Sequence, residues 1–185
     1  MELMEAIEAR RSVRAYLDRP VEREKLDLLA EALRLAPSAC NSQPWKIVFV
    51  TEPGLRARVA AATCTPPIPL NRFAASAPAL AVLVVERPKA SAQAGALVTG
   101  RKYPLIDLGI AAEHLCLRAT DLGLGSCMLG WFDARRIKRL LGIPAARAVG
   151  LVVTLGYPAE GQGQRPEPRP KVRKALDGIR SWERY

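Results

Sequence analysis

The chemistry of this chain is concentrated in a few basic residues. Near the start, "EARRSVRAY" sets Arg10, Ser12 and Arg14 at alternate positions, with Arg11 between them. Two guanidinium forks and a hydroxyl can converge on one anion, and guanidinium matches phosphate bidentately. A second basic group, "PKVRKALDGI", brings Lys171, Arg173 and Lys174 near the other terminus. These residues predict an anion site held by side chains. The glycine-rich "GLGSCM" at Gly123 does not compete with it, because a dinucleotide fingerprint follows a strand and opens a helix. Here the glycines close a helical pattern and open a strand, so Gly123 and Gly125 read as a C-cap and a tight turn. No Walker loop is present.

The stretch "APSACNSQPW" over 36–45 carries more functional side chains than a connection needs. Ser38 and Asn41 can hydrogen-bond a ligand, whereas Gln43 and Trp45 read as loop braces. Acid–base and metal chemistry have little to work with. The one histidine, His114, sits inside a helical pattern, and Asp107, His114 and Asp121 recur every seven residues. They share a helix face, which reads as a solvated or interface stripe rather than a metal site. Cys40, Cys64, Cys116 and Cys127 form no CxxC pair and read as buried free thiols of a reducing compartment. No side chain is assigned a catalytic or metal-binding role.

The elements that must position these groups follow from periodicity. At 185 residues, 49% hydrophobic and 25% charged, the chain has the composition of one folded domain spanning 1–185 rather than of a disordered segment. Leu3 and Ile7, four apart, predict a short helix over 2–10 that buries both. "VEREKLDLLAEALRLAP" predicts a second helix stopped by Pro37. "KIVFVT" and "APALAVLVVE" read as buried strands, the latter apolar on both faces, which calls for helices on both sides of the sheet. Between them "PGLRARVAAAT" is helical with Pro53 near its start. The segment 87–104 is a loop or weak helix, and a long helix follows from Pro104. A short strand, "SCMLGWF", leads to Asp133 as N-cap of the helix "ARRIKRLL", and "ARAVGLVVTLGYP" is the last strand. From Ala159 the Pro/Arg/Gly-rich remainder over 159–185 reads as an extended arm. The architecture is α+β, a small sheet between helices. No apolar run reaches the ~20 residues of a membrane span, and the start lacks a secretory h-region, so a cytoplasmic protein is expected. The net charge of +10 asks for an anionic partner.

Four segments, "RRSVRAY", "APSACNSQPWKIVFV", "GLGSCMLGWFD" and "RPKVRKALDGI", together resemble the signature segments of the nitroreductase family, in the family's order. The resemblance spans essentially the whole chain. It implies an FMN-dependent NAD(P)H oxidoreductase of α+β fold, a mostly antiparallel sheet flanked by helices. It implies a homodimer with FMN at the subunit interface. By resemblance, Arg10, Ser12 and Arg14 take the phosphate and ribityl end, Arg11 adds charge or a backbone contact, and Lys171 and Arg173 close over the phosphate. Pro37, Ser38, Ala39 and Asn41 would come from the partner subunit onto the isoalloxazine. Leu129 and Gly130 would bring backbone to the flavin's reactive nitrogen. Asn71 and Arg72 would supply a polar or basic group to its pyrimidine edge, where reduction develops negative charge.

The implied reaction is a ping-pong hydride transfer from NADPH or NADH through flavin to a nitroaromatic, quinone or similar small acceptor, with protons from water. It needs no catalytic side chain, since the cofactor carries the chemistry. Two departures from the family pattern stand out. Gly130 replaces an acid found in some members, and 88–104 is short and rich in Ala and Gly where relatives place substrate-covering helices. The charge alone admits rival readings, a nucleic-acid-binding protein or an FMN-binding sensor or carrier without turnover. An aromatic content of 5% leaves the basic clusters without interleaved stacking platforms, and nucleic acid is not an expected partner.

Overall fold

The computed structural model describes residues 1–160 and 171–185. Its elements are α1 (Leu3–Ala9), α2 (Arg23–Arg34), β1 (Trp45–Val50), α3 (Pro53–Ala62), β2 (Ala79–Val85), α4 (Ala90–Thr99), α5 (Tyr103–Asp121), β3 (Gly125–Leu129), α6 (Ala134–Leu141) and β4 (Ala148–Gly156). Short 3-10 turns occupy Ala39–Asn41, Arg72–Ser76 and Leu176–Gly178. The four strands form one sheet in the order β1-β2-β4-β3, every pair antiparallel. This is the expected α+β sandwich. Part of the arm, 161–170, lies outside the described residues.

Side-chain alternation divides the core in two. Ala79, Ala81 and Leu83 of β2 and Val153 and Leu155 of β4 face α2 and α5, where Leu29, Leu33, Ala111 and Leu115 meet them. Leu80, Val82 and Val84, with Val152, face Val59 of α3 and Ile137 of α6. A strand that must be apolar on both faces is one covered on both sides, and β2 is that strand. Among the described residues no helix is long and apolar enough to cross a membrane.

Four local expectations need correction. Gly125 lies inside β3 rather than in a turn. Gly123, at φ +74°, caps α5, and the following Leu124 N–H donates to Ala119 O at 2.8 Å. The α1 spacing does form a helix, but Leu3 is 66% and Ile7 42% exposed, and only Ala6 is buried. Asp107 is not solvated: it is 4% exposed. The segment 87–104, open between loop and weak helix, is helical over α4, with only Ala92 buried. Cys116 and Cys127 are buried as expected, whereas Cys40 is exposed and Cys64 only half-buried.

Candidate anion cleft and its surroundings

The residues after α1 leave the helix and run alongside β3, with Ser12 in a parallel bridge to Ser126 and Val13 N–H donating to Ser126 O at 2.9 Å. This extended segment explains the alternate spacing of the basic group. In strand-like backbone every second side chain shares a face, so Val13 turns into the core at 3% exposed while Ser12 and Arg14 turn out. Gly125 makes the approach possible, because a Cβ there would sit 2.8 Å from three carbons of Val13. Tyr16 locks the far end. Its hydroxyl donates to Val13 O (2.7 Å) and pairs with Thr154 Oγ1 (2.6 Å), and burial raises its pKa.

From the other terminus, Lys171 Nζ donates to Ile7 O at 2.7 Å, which fixes the arm beside the end of α1. Together Arg10, Arg11, Ser12, Arg14, Lys171, Val172 and Arg173 line a cleft of about 420 Å³. The lining holds five cations and no carboxylate. Arg10 alone of them has an ion pair among the described residues, Nε to Glu113 Oε1 at 3.0 Å. Burial, then the neighbouring Arg10, Arg11 and Arg173, depress the Lys171 ammonium below its ordinary value. A lysine crowded by guanidiniums in this way is relieved by a bound anion. Lys174, counted with this basic group in the sequence, does not line the cleft.

Arg14 connects the cleft to the next group. Its guanidinium carbon lies 5.9 Å from the centre of the Phe73 ring, in the Arg72–Ser76 turn. Asn71, just before that turn, is 9% exposed, and its amide nitrogen donates to Thr63 O (3.1 Å) and Trp131 O (2.9 Å). Asn71 is therefore a brace between the end of α3 and the residues after β3, while Arg72 is exposed. Leu129 ends β3 buried, and Gly130 follows it exposed, with nothing within 4 Å of the position a Cβ would take. The backbone there is open to a planar group.

The fourth group stands apart. Pro37, Ser38, Ala39 and Asn41 precede β1, the sheet edge opposite β3, and none of them lines the cleft. Strands lie about 4.8 Å apart, so β1 and β3 are separated by roughly 14 Å. The loop is rigidly built. Ser38 Oγ accepts from Gln43 N–H (2.9 Å), Gln43 Nε2 donates to Asn41 Oδ1 (2.7 Å), and Ala39 N–H donates to Asp107 Oδ1 (3.1 Å). Cys40, Asn41 and Gln43 all hold left-handed φ values, 53°, 48° and 47°, which cost about 1–3 kcal/mol each for residues other than glycine. Gln43 is the loop brace the sequence suggests, and Trp45 packs against the core under α2 and α5.

Three residues with a part here were not assigned to the site from the sequence, where Asp107 read as part of a solvated or interface stripe. Glu113 anchors Arg10, Phe73 carries Arg14, and Asp107 holds the loop. The signal for Asp107 was an acid in an otherwise apolar stretch of helix. His114 Nδ1 lies 3.3 Å from Ala32 O, a link between α5 and α2, and no His/Cys/Asp/Glu cluster suited to a metal occurs among the described residues. Beneath the cleft, burial pushes Cys116 up to about 11 and raises Cys127. Both remain thiols near neutral pH, so neither is an activated nucleophile.

A family model described as "Nitroreductase family" matches residues 7–67 and 68–157. The chain belongs to the Nitroreductase family. An NADH dehydrogenase of Thermus thermophilus is 32% identical over 200 residues, covering 94% of this chain and 92% of that protein. A crystal structure of a nitroreductase family protein from Clostridium novyi NT superposes with a TM-score of 0.77 at 31% identity, covering 86% of this chain and 87% of that one. The NADPH:FMN oxidoreductase of Vibrio harveyi, solved with NAD⁺, gives 0.77 at 25% identity over 99% of this chain and 77% of its own. The family match spans Arg10, Arg11, Ser12 and Arg14 of the cleft and the whole sheet.

Proposed function

We propose that this member of the Nitroreductase family is an FMN-dependent NAD(P)H oxidoreductase whose flavin phosphate sits in the cleft of Arg10, Arg11, Ser12, Arg14, Lys171 and Arg173. The observation that carries the reading is that cleft, five cations without a lining carboxylate. FMN ends in a phosphate dianion, and guanidinium forks are the side chains best shaped for it. When bound, FMN supplies the redox chemistry, taking hydride from NADH or NADPH and, in ping-pong order, reducing a nitroaromatic, quinone or similar acceptor.

The chain's own residues do the holding. Arg14 reaches from the phosphate toward Phe73 and gives the ribityl chain a cation along its path. The open backbone at Gly130 admits the ring system, and exposed Arg72 supplies positive charge where reduction would place negative charge. Asn71 acts indirectly, by fixing the Trp131 carbonyl and so the backbone after Gly130. Pro37, Ser38, Ala39 and Asn41 serve the flavin of a second copy.

A homodimer is part of the reading. On α1 and the α5 helix it lies against, Leu3, Met4, Ile7, Leu105, Ile106 and Ile110 are exposed, and on the arm so are Val172, Ile179 and Trp182. An apolar surface of that extent is covered in a soluble protein, and a second copy supplies the loop that the cleft lacks.

The test is a visible spectrum of the purified protein, repeated anaerobically with NADH or NADPH. Flavin bands that bleach support the oxidoreductase; bands that persist leave a flavin carrier. No flavin even after incubation with FMN overturns the reading in favour of a basic surface for other polyanions. The paired variant Arg10→Ala, Arg173→Ala tests the assignment. Each lost charge-assisted bond is worth ~1.5–3 kcal/mol, so FMN affinity falls by roughly 10²–10⁴-fold while the fold persists. Full flavin retention refutes it.

A further inference from the structure

We propose that Asp107 is a positioning residue for the flavin site of the partner subunit, acting through the loop it holds. The inference rests on the FMN reading above. Asp107 belongs to the N-terminal half of α5, is 4% exposed, and spends one carboxylate oxygen on the Ala39 N–H at 3.1 Å. Its other oxygen, Oδ2, is buried with no hydrogen-bond partner among the described residues. A buried carboxylate with half its acceptor capacity unused is costly. A surface loop that needed only a structural cap would be served as well by water or an exposed side chain.

What the bond secures explains the cost. Ala39 opens the turn that carries Cys40 and Asn41 in left-handed backbone. Such conformations persist only where their surroundings over-determine them. Ser38 and Gln43 fix the turn to itself, and Lys89 N–H donating to Ser42 Oγ at 2.8 Å ties it to α4. Asp107 is the tie to α5, the helix that also holds Arg10 through Glu113. One helix therefore sets the phosphate clamp of its own cleft and the ring-contacting loop offered to the other.

Asp107→Ala should weaken FMN binding about tenfold or more, whereas Asp107→Asn, which keeps an acceptor oxygen in place, should bind near the wild-type level. A structural role confined to one chain would not predict complementation, and that decides the matter. In Asp107→Ala homodimers both loops are faulty, and in Arg10→Ala, Arg173→Ala homodimers both clefts are. A mixed dimer of the two, isolated with distinct tags, has one intact cleft facing one intact loop. It should bind one tight FMN per dimer, measured by flavin fluorescence quenching. Two outcomes overturn the proposal: wild-type affinity in Asp107→Ala, or a mixed dimer no better than its parents. If Asp107→Ala fails to fold, Asp107→Leu, which fills the space without an acceptor for the Ala39 N–H, replaces it, and wild-type affinity in that homodimer or a mixed dimer no better than its parents likewise overturns the proposal. Wild-type protein without FMN would instead refute the flavin reading itself.

Discussion

The close approach at Gly125 makes a sharp prediction. In Gly125→Ala the new methyl would meet Val13 Cβ, Cγ1 and Cγ2 at 2.8 Å, where carbon atoms rest at about 3.5–4.0 Å. Val13 Cβ is fixed to the backbone, so rotation of the side chain cannot clear the contact. The segment must withdraw from β3 by roughly 1 Å, stretching the 2.9 Å bond from Val13 N–H to Ser126 O. Overpacking costs ~1–3 kcal/mol and the weakened bond about 1 kcal/mol more. A loss of roughly 2–4 kcal/mol lowers Tm by about 4–16 °C in a chain of this size. Ser12 and Arg14 move with Val13, so FMN affinity should fall about tenfold or more, beyond any effect of lower stability. Leu29→Ala is the control. Leu29 is a fully buried residue of α2, and its truncation costs a similar ~2–5 kcal/mol without touching the cleft. Urea melts give the stabilities, and fluorescence titration of folded protein gives FMN affinity. If Gly125→Ala matches wild type in stability, or matches Leu29→Ala in FMN affinity, the close-approach argument fails.

Two pH effects follow from the charged groups. Because Lys171 is depressed by burial and by Arg10, Arg11 and Arg173, the apo protein gains stability as pH rises through its folded pKa toward 10.5, where the unfolded lysine titrates. A bound phosphate reverses the effect by favouring the ammonium, so FMN affinity should drop through the same alkaline window and stay flat in Lys171→Arg; an unchanged slope in that variant would remove Lys171 from the site. At the acid end, Glu22 is held near about 2 by the Tyr157 hydroxyl (2.6 Å), then by its own backbone and Arg19. Its contribution is complete above about 4.5 and lost as pH falls toward 2, so Glu22→Gln should flatten the acid limb of urea stability in that window.

The sheet and its helices were legible because burial on two faces leaves a local mark. Seven consecutive apolar residues in β2, Pro53 at a helix start and Asp133 accepting from Arg136 N–H are all decided within a few residues of sequence. The cationic cleft was legible for a related reason. Strand-like alternation puts Ser12 and Arg14 on one side, whereas the basic residues of the arm read from chemistry only as a second group of the same kind, and the family resemblance matched them to the first. Asn71 shows the limit. Its type suits a ligand, but its amide nitrogen is occupied by the Thr63 and Trp131 carbonyls, an arrangement that depends on contacts 8 and 60 residues away.

The exposed face of α1 shows a deeper limit. Spacing at Leu3 and Ile7 identifies an apolar stripe, but periodicity says only that a stripe must be covered, not by which chain. Within one chain, α1 buries only Ala6; the rest of its stripe, Leu3, Met4 and Ile7, is exposed. The same ambiguity governs Asp107. Heptad spacing with His114 and Asp121 placed all three on one face, yet each is used differently, by a loop, by the Ala32 carbonyl and by the Met1 amino group. In the proposed dimer, the loop before β1 and the cleft beside β3, at opposite sheet edges, are completed by the second copy. Residue type and spacing mark such a loop in the sequence, but not which copy it serves; the exposed α1 face and the unpartnered Asp107 oxygen are the structural marks of that.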